Sequence, residues 1–315
     1  MSGRTNGPTN EGAHDVATDP TIDPARRATG GRGWRRVRLA IRRRPVATVA
    51  LAFIVLVALT AVFAAQWAPH DPTAQSLRLR LRPPWPLPGS DPAHPLGTDP
   101  LGRDVLSRIL HGARISLGVG VGAVLLQALL GVSAGLLAGF YRGAVDQVLM
   151  RLADVQQSIP FLVLVVAVAA VVGPSLRNTV LVLGVAGWVT YGRVVRAQVL
   201  SLMTSEYVTA AKALGGGDRR VMLRHLLPNL VAPITVIGTL TISAMILVEA
   251  SLSFLGLGVP PPTPTWGGMV ADGRNYVADA WWVSVMPGLA IFATVLSINL
   301  VGDALRETLD PSLRT

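Results

Sequence analysis

Six long apolar runs alternate with polar stretches along this chain, at Val46–Ala65, Ile115–Phe140, Leu149–Val172, Leu176–Val195, Leu230–Leu257 and Val283–Gly302. Each reaches the length of about 20 residues at which an α-helix crosses the hydrocarbon layer of a bilayer. The pattern predicts an all-α integral membrane protein with six transmembrane helices, and an even number of crossings places both termini on one side. The polar remainder divides into a tail over 1–45, a first helix over 46–66, a long outer loop over 67–114, a core of five helices over 115–305 and a second tail over 306–315. The first 33 residues are rich in Gly, Pro, Thr and Asp without an apolar period, which predicts disorder. The basic cluster Arg35, Arg36, Arg38, Arg42, Arg43 and Arg44 then leads into the first run. That run is too long and begins too late for a secretory signal, whose apolar core spans about 7–15 residues near the N-terminus.

Composition agrees with the pattern. Half of the residues are hydrophobic, 15% are charged and mean hydropathy is +0.48, against about 25% charged residues in ordinary soluble domains. Six spans leave no room for a soluble catalytic domain. The chain has no cysteine, which excludes disulfides, thiolate metal sites and cysteine nucleophiles. Its net charge of +10 is carried by arginine, Lys212 being the single lysine. In a soluble protein that excess would suggest nucleic acid; here it follows topology, and no nucleic-acid partner is expected. With the N-terminus inside, 20 of the 28 basic residues fall on inner segments, so the positive-inside rule places both termini and the Glu206–Asn229 loop in the cytoplasm. The outer loop dilutes this signal with Arg78, Arg80, Arg82, Arg103, Arg108 and Arg114.

In the second run Gly118, Gly122, Gly131, Gly135 and Gly139 are separated by multiples of four or nearly so. Such a stripe lets a second helix approach closely in lipid. The segment Gly118–Ala123, GVGVGA, imitates a dinucleotide-binding turn, but no strand precedes it and no acidic residue follows at the required distance. A phosphate-binding loop is also missing: Lys212 sits in TAAKALG, with no glycine-rich turn before it and no Ser or Thr after it. Energy for active transport must therefore come from an ion gradient or another subunit. Ion coupling calls for paired carboxylates or histidines in mid-membrane, and the runs offer only Asp154 and Glu249. Asp154 has Arg151 one turn away and reads as an ion pair at the membrane surface. Glu249 reads either as an interhelical hydrogen bond or as part of a path or gate.

Between the fourth and fifth runs lies EYVTAAKALGGGDRRVMLRHLLPN, Glu206–Asn229. Glu206–Leu214 is helix-forming, Gly215–Gly217 breaks it, and Asp218 is placed to cap a second short helix ending near Leu227, before Pro228. Ala210, Ala211, Ala213 and Gly215 would present a small-residue surface, and Arg219, Arg220 and Arg224 a basic one. The shape suits a groove on a partner.

These residues resemble the EAA signature of ATP-binding-cassette importer permeases: EAA, three residues, Gly, nine residues, Ile, one residue, Leu-Pro. Thr209, Ala210, Ala211, Gly215, His225, Leu227 and Pro228 occupy those positions, with Thr209 in place of the glutamate and His225 in place of the isoleucine. Glu206, one turn earlier, can supply the missing carboxylate. Three further blocks, His94–Leu117, Ala250–Val270 and Gly302–Arg314, narrow the resemblance to the C-type permease of dipeptide and oligopeptide importers. It covers the chain from Arg44 onward.

The resemblance implies a type I importer permease fold with cytoplasmic coupling helices, in a multi-pass protein of the bacterial inner membrane. The implied partners are a second, homologous permease subunit, two ATPase subunits and an extracytoplasmic binding protein. ATP and Mg would be bound by the ATPases, and no cofactor by this chain. The chain itself would be a transport subunit and not an enzyme. Coupling would rest on Glu206, Thr209, Ala210, Ala211, Gly215, Asp218, Arg219, His225, Leu227 and Pro228. The expected cargo is a di- or oligopeptide; nickel chelates, glutathione or another small solute are alternatives within the same importer type, and a self-sufficient secondary transporter is the alternative outside it.

In the outer blocks, Asp99, Arg103 and Asp104 are expected to tie the outer loop to the second helix. A metal site built from His94, Asp99 and Asp104 is set aside because proline and glycine separate them and arginines adjoin them. Pro260, Pro261, Pro262 and Pro264 before Trp266 predict a stiff loop able to close the outer mouth or meet the binding protein, or else an ordinary loop with an interfacial tryptophan. Trp281 and Trp282 are expected in an interfacial belt.

Overall fold

The computed structural model describes residues 45–309. The expected disorder of the first 33 residues, the arginine cluster and the end of the C-terminal block lie outside them. Among the described residues the chain forms α1 (Pro45–Trp67), α2 (Val105–Tyr141), α3 (Gly143–Gln157), α4 (Phe161–Val172), α5 (Leu176–Leu202), α6 (Glu206–Ala213), α7 (Asp218–Phe254), α8 (Trp266–Gly273) and α9 (Trp282–Leu309).

Five of these helices, α1, α2, α5, α7 and α9, are long and apolar enough to cross a membrane. The third expected span differs from the prediction. It is not one straight helix but the pair α3 and α4, bent by 85°. Pro160 lacks an N–H and caps α4 from an extended conformation, so the helix ladder cannot run through it. The 12 residues of α4 extend only about 18 Å at 1.5 Å per residue. The α3 half carries Asp146, Arg151 and Asp154 and suits the bundle's end better than lipid.

A second difference is at the start of α2, which begins at Val105, ten residues before the apolar run. Asp104 makes this possible: its Oδ2 accepts the Ser107 N–H at 2.7 Å, satisfying one of the donors a helix start leaves open. Arg108 and Arg114 are thereby on a helix and not in the loop.

The core is the seam between α2 and α5. A Cβ on Gly131 would stand 2.4 Å from Trp188 O, one on Gly135 2.4 Å from Gly192 O, and one on Gly139 2.8 Å from Val199 Cβ. These three glycines set the close approach, whereas Gly118 faces open space. Further up the seam Gln127 is buried against Gly187; its Nε2 donates to Leu183 O at 3.0 Å, and Met245 Sδ lies at the same distance.

The bundle's two ends are built differently. At one, here the cap end, residues 68–104 and α8 cover the starts of α2 and α9. Asp99 is fully buried and accepts from Arg103 Nε at 2.6 Å and from Arg108 Nη1, while both arginines reach Asp272 Oδ2 of α8 at 3.1 Å. Charges do tie this loop to α2, with Asp99 as the hub. Trp282 is no belt residue: it is buried and donates its indole N–H to Thr98 O at 3.1 Å, while Trp281 is exposed. At the other, the loop end, the connection from α5 through α6 to α7 rests on apolar contacts. Val208, Val221, Leu226 and Leu230 are fully buried against Leu136, Phe140, Val195 and Val199.

Candidate functional site

The loop end carries the residues singled out for docking. α6 spans Glu206–Ala213, and the chain turns at Gly215 with φ +79°, a conformation glycine adopts without a Cβ clash. Glu206, Thr209, Ala210, Ala213 and Gly215 are exposed and Ala211 is half-buried. Leu214, with 89% of its surface exposed, projects beyond them. Thr209 does not reach a neighbouring element: its hydroxyl donates to Ser205 O one turn back at 3.1 Å. Lys212 lays its ammonium 4.7 Å from the Phe140 ring centroid, which ties α6 to the end of α2.

The second short helix is not separate. Its N-cap is Gly217, and Asp218 is the first helical residue, with no side-chain capping bond. There its charge complements the helix N-terminus. The helix does not stop before Pro228 but continues through it into the span, as one α7 of 37 residues. Pro228 lacks the N–H that an α-helical turn would need, and the chain accommodates this with a wide turn over Met222–Leu226, in which Leu227 N–H bonds Met222 O five residues back. Asn229 Nδ2 donates to His225 O at 2.7 Å. Arg219, Arg220 and Arg224 are exposed beside a shallow concavity at this start of α7, and His225 and Leu227 are half-buried behind them.

In mid-bundle the bend between α3 and α4 opens a cavity of about 610 Å³. Gln127 of α2, Gln156 of α3, Thr190 of α5 and Thr241 of α7 face it, with Met245 and Phe161 among its apolar walls. Gln156 is anchored at both ends of its amide, donating to Ala186 O at 2.6 Å and accepting from Trp188 Nε1 at 2.8 Å. The lining holds uncharged hydrogen-bonding groups and no ionisable side chain. Sequence reasoning missed this cavity. Pro160 and the pair Gln156–Gln157 inside an apolar run were its signal.

Glu249 and Trp266, proposed for a path or gate, are brought together elsewhere. Both carboxylate oxygens of Glu249 are engaged, Oε2 by the Ser116 hydroxyl at 3.2 Å and Oε1 by Ser253 at 2.8 Å. The Trp266 N–H in turn donates to Ser116 Oγ at 3.3 Å, and its indole to Ile109 O at 2.9 Å. Both residues are buried, and neither lines the cavity. Trp266 is therefore not in a loop but opens α8 and pins it to α2, with Thr265 capping that helix through Gly268 N–H at 3.0 Å. The expected partner of Asp154 also changes: its carboxylate pairs with Arg193 of α5 at 2.6 Å, not with Arg151.

Residues 131–315 match the family described as binding-protein-dependent transport system inner membrane component, and residues 33–84 match the N-terminal transmembrane domain of oligopeptide transport permease C. Over 264 residues the chain is 46% identical to a di/tripeptide transport system permease protein of Pseudomonas aeruginosa, covering 84% of this chain and 87% of that one. A glutathione transport system permease protein of Pectobacterium atrosepticum is 39% identical over 301 residues, 95% of this chain and 97% of its own length. In fold the chain is similar to the MetNI methionine transporter solved in inward-facing conformations, with a TM-score of 0.50 at 17% identity over 64% of this chain and 96% of that one.

Proposed function

Because the chain belongs to the inner-membrane permease components of binding-protein-dependent, ATP-binding-cassette import systems, we propose that it forms half of the path by which a di- or oligopeptide crosses the membrane, driven through the loop Glu206–Asn229. In this family the ATPase is a separate subunit, which fits the absence of a phosphate-binding loop and removes the need for a self-sufficient carrier. The fuller assembly is a second, homologous permease chain enclosing the other half of the path, two ATPase subunits beneath the loop, and a binding protein at the cap end. Both termini and the loop face the cytoplasm.

One observation carries the mechanism. α7 is a single helix that holds Arg219 and Arg220 at the loop end and Thr241 at the cavity. An ATPase gripping Ala210–Gly215 and the basic start of α7 moves a lever whose other arm is a cavity wall. ATP then shifts the equilibrium between two arrangements of the bundle by binding the ATPase unequally in each. The cavity suits a peptide in transit: glutamine and threonine side chains exchange hydrogen bonds with amide groups whatever the cargo's side chains, and the absence of a fixed charge avoids trapping it.

The test is uptake of a labelled dipeptide by the assembled transporter in proteoliposomes, with Ala210→Arg as the variant. Ala210 is exposed, so insertion and folding are retained, while uptake and peptide-stimulated ATP hydrolysis fall at least about tenfold, the effect of about 1.4 kcal/mol on coupling. Unchanged uptake would remove the docking role. The glutathione permease at 39% identity favours one second reading, a tripeptide thiol as cargo, and competition between glutathione and dipeptide in the same assay separates the two.

A further inference from the structure

The cap end holds a cluster of histidine and aspartate side chains apart from the cavity between α3 and α4. The metal set considered from sequence, His94, Asp99 and Asp104, is not assembled: Asp99 is the hub of the arginine network. His70, three residues past the end of α1, takes its place. A nitrogen of His70, a nitrogen of His94 and a carboxylate oxygen of Asp104 all lie within 4.8 Å of one another. The imidazole rings of His70 and His94 stack with centroids 4.4 Å apart, and the His70 backbone N–H donates to Ser107 Oγ at 3.0 Å, which fixes this residue against the start of α2.

Three observations point to a cation here. First, Asp104 is buried, and beyond the Ser107 N–H that its Oδ2 accepts as the α2 cap, the basic groups beside its carboxylate among the described residues are the imidazoles of His70 and His94. Its arginine neighbours Arg103 and Arg108 are committed to Asp99 and Asp272. A buried carboxylate requires a counter-charge. Second, a hydrogen bond accounts for His94 Nδ1 and Asp104 Oδ1, 2.9 Å apart, but leaves His70 Nδ1 without a partner. That nitrogen is shielded from solvent and stands 4.0 Å from Asp104 Oδ2, beyond hydrogen-bonding range. Third, the spacing suits coordination: ligands about 2.0–2.1 Å from a tetrahedral zinc ion are about 3.3–3.4 Å from each other, and the two observed separations bracket that value.

We propose that His70, His94 and Asp104 form a binding site for a divalent metal ion of the zinc type, which clasps the end of α1, the outer loop and the start of α2. Two imidazoles and one carboxylate are the ligand set such borderline ions prefer. The half-exposed His70 side chain gives the ion an entry route and leaves a fourth position for water. In a chain without cysteine, the clasp does what a disulfide does in other loops: it closes the segment 70–104, here through metal–ligand bonds that a chelator can remove.

The experiment uses the full-length chain in lipid nanodiscs, stripped with a chelator and then titrated with Zn²⁺ against a chromophoric competitor, with Co²⁺ as a spectroscopic substitute. The wild type is expected to bind one equivalent, and bound Co²⁺ to show the intense visible bands of four-coordination. His70→Ala, at a half-exposed position where folding is retained, and His94→Gln, which keeps a hydrogen-bonding group beside Asp104, each weaken binding at least about tenfold. His111→Ala, outside the cluster, leaves it unchanged. Zn²⁺ also raises the thermal unfolding midpoint of the wild type but not of His70→Ala. Zinc affinity equal in the wild type and His70→Ala, or Co²⁺ that keeps the pale spectrum of six-coordination, would overturn the assignment and leave the histidines as a hydrogen-bonded strut.

Discussion

The cap and the Glu206–Asn229 loop of this bundle are fastened by different kinds of contact. At the cap end, buried charges meet at fixed distances: Asp99 takes two arginines, Asp272 bridges both, and Trp266 and Trp282 donate their indoles to backbone carbonyls. At the loop end the connection from α6 to α7 is fastened by apolar contacts, Val208 and Val221 pressed between the ends of α2 and α5, with the polar face of the loop left to solvent, while the half-buried Arg196–Asp146 pair joins α5 to α3 and does not hold the loop. Charge networks in a water-poor setting are directional and tolerate little displacement; apolar contacts slide. One end is built to keep its shape; the other suits the proposed grip by an ATPase.

The cap end depends most on Asp99. Replacing it by Asn leaves two buried guanidinium groups short of an anion, at a cost of about 3–5 kcal/mol, read as a large fall in the thermal unfolding midpoint in detergent. A small fall would mean that Asp272 alone suffices and that the cap is not a charge-built unit. Val208→Ala probes the other end. It removes two buried methyl equivalents, about 1–2 kcal/mol, and is expected to reduce the coupling of ATP hydrolysis to uptake more than it lowers the unfolding midpoint. Should the ranking of the two variants in stability reverse, the contrast between the ends falls. The smallest effect belongs to Arg193→Ala, which breaks the exposed pair with Asp154; at about 0–1 kcal/mol, it leaves unfolding almost unmoved, and a loss comparable to that of Asp99→Asn would show that loop-end charges hold the fold after all.

Much of this was legible in the sequence, because lipid imposes a simple rule on it. Run length and polarity alone gave five spans as single helices, and the four-residue glycine spacing marked α2 for close approach by another helix, although it could not tell that the partner is α5 or that Gly131, Gly135 and Gly139 are the tight positions and Gly118 is not. The turn between the two loop helices was legible through Gly215. What escaped depended on geometry that no linear pattern encodes. Hydropathy averages over Ser158–Pro160 and so hides an 85° bend and the cavity behind it. Pro228 reads as a helix stop, but one wide turn absorbs its missing N–H and fuses the loop to the span. Glu249 and Ser116 are 133 positions apart, and His70 lies outside the block that held His94 and Asp104. Their meeting is set by how α1, α2 and α7 pack.

If the proposed coupling holds, motion imposed on the loop reaches the cavity through α7. The chain has no native cysteine, so Thr241→Cys introduces a single reporter on the cavity wall. The decisive measurement is its alkylation rate by a membrane-impermeant maleimide in the assembled transporter, with and without ATP held unhydrolysed. A rate change of at least about tenfold is expected, equivalent to about 1.4 kcal/mol between the two arrangements, and abolished when Ala210→Arg is added. An ATP-dependent change that survives Ala210→Arg, or none at all in a transporter that still imports peptide, would contradict that coupling.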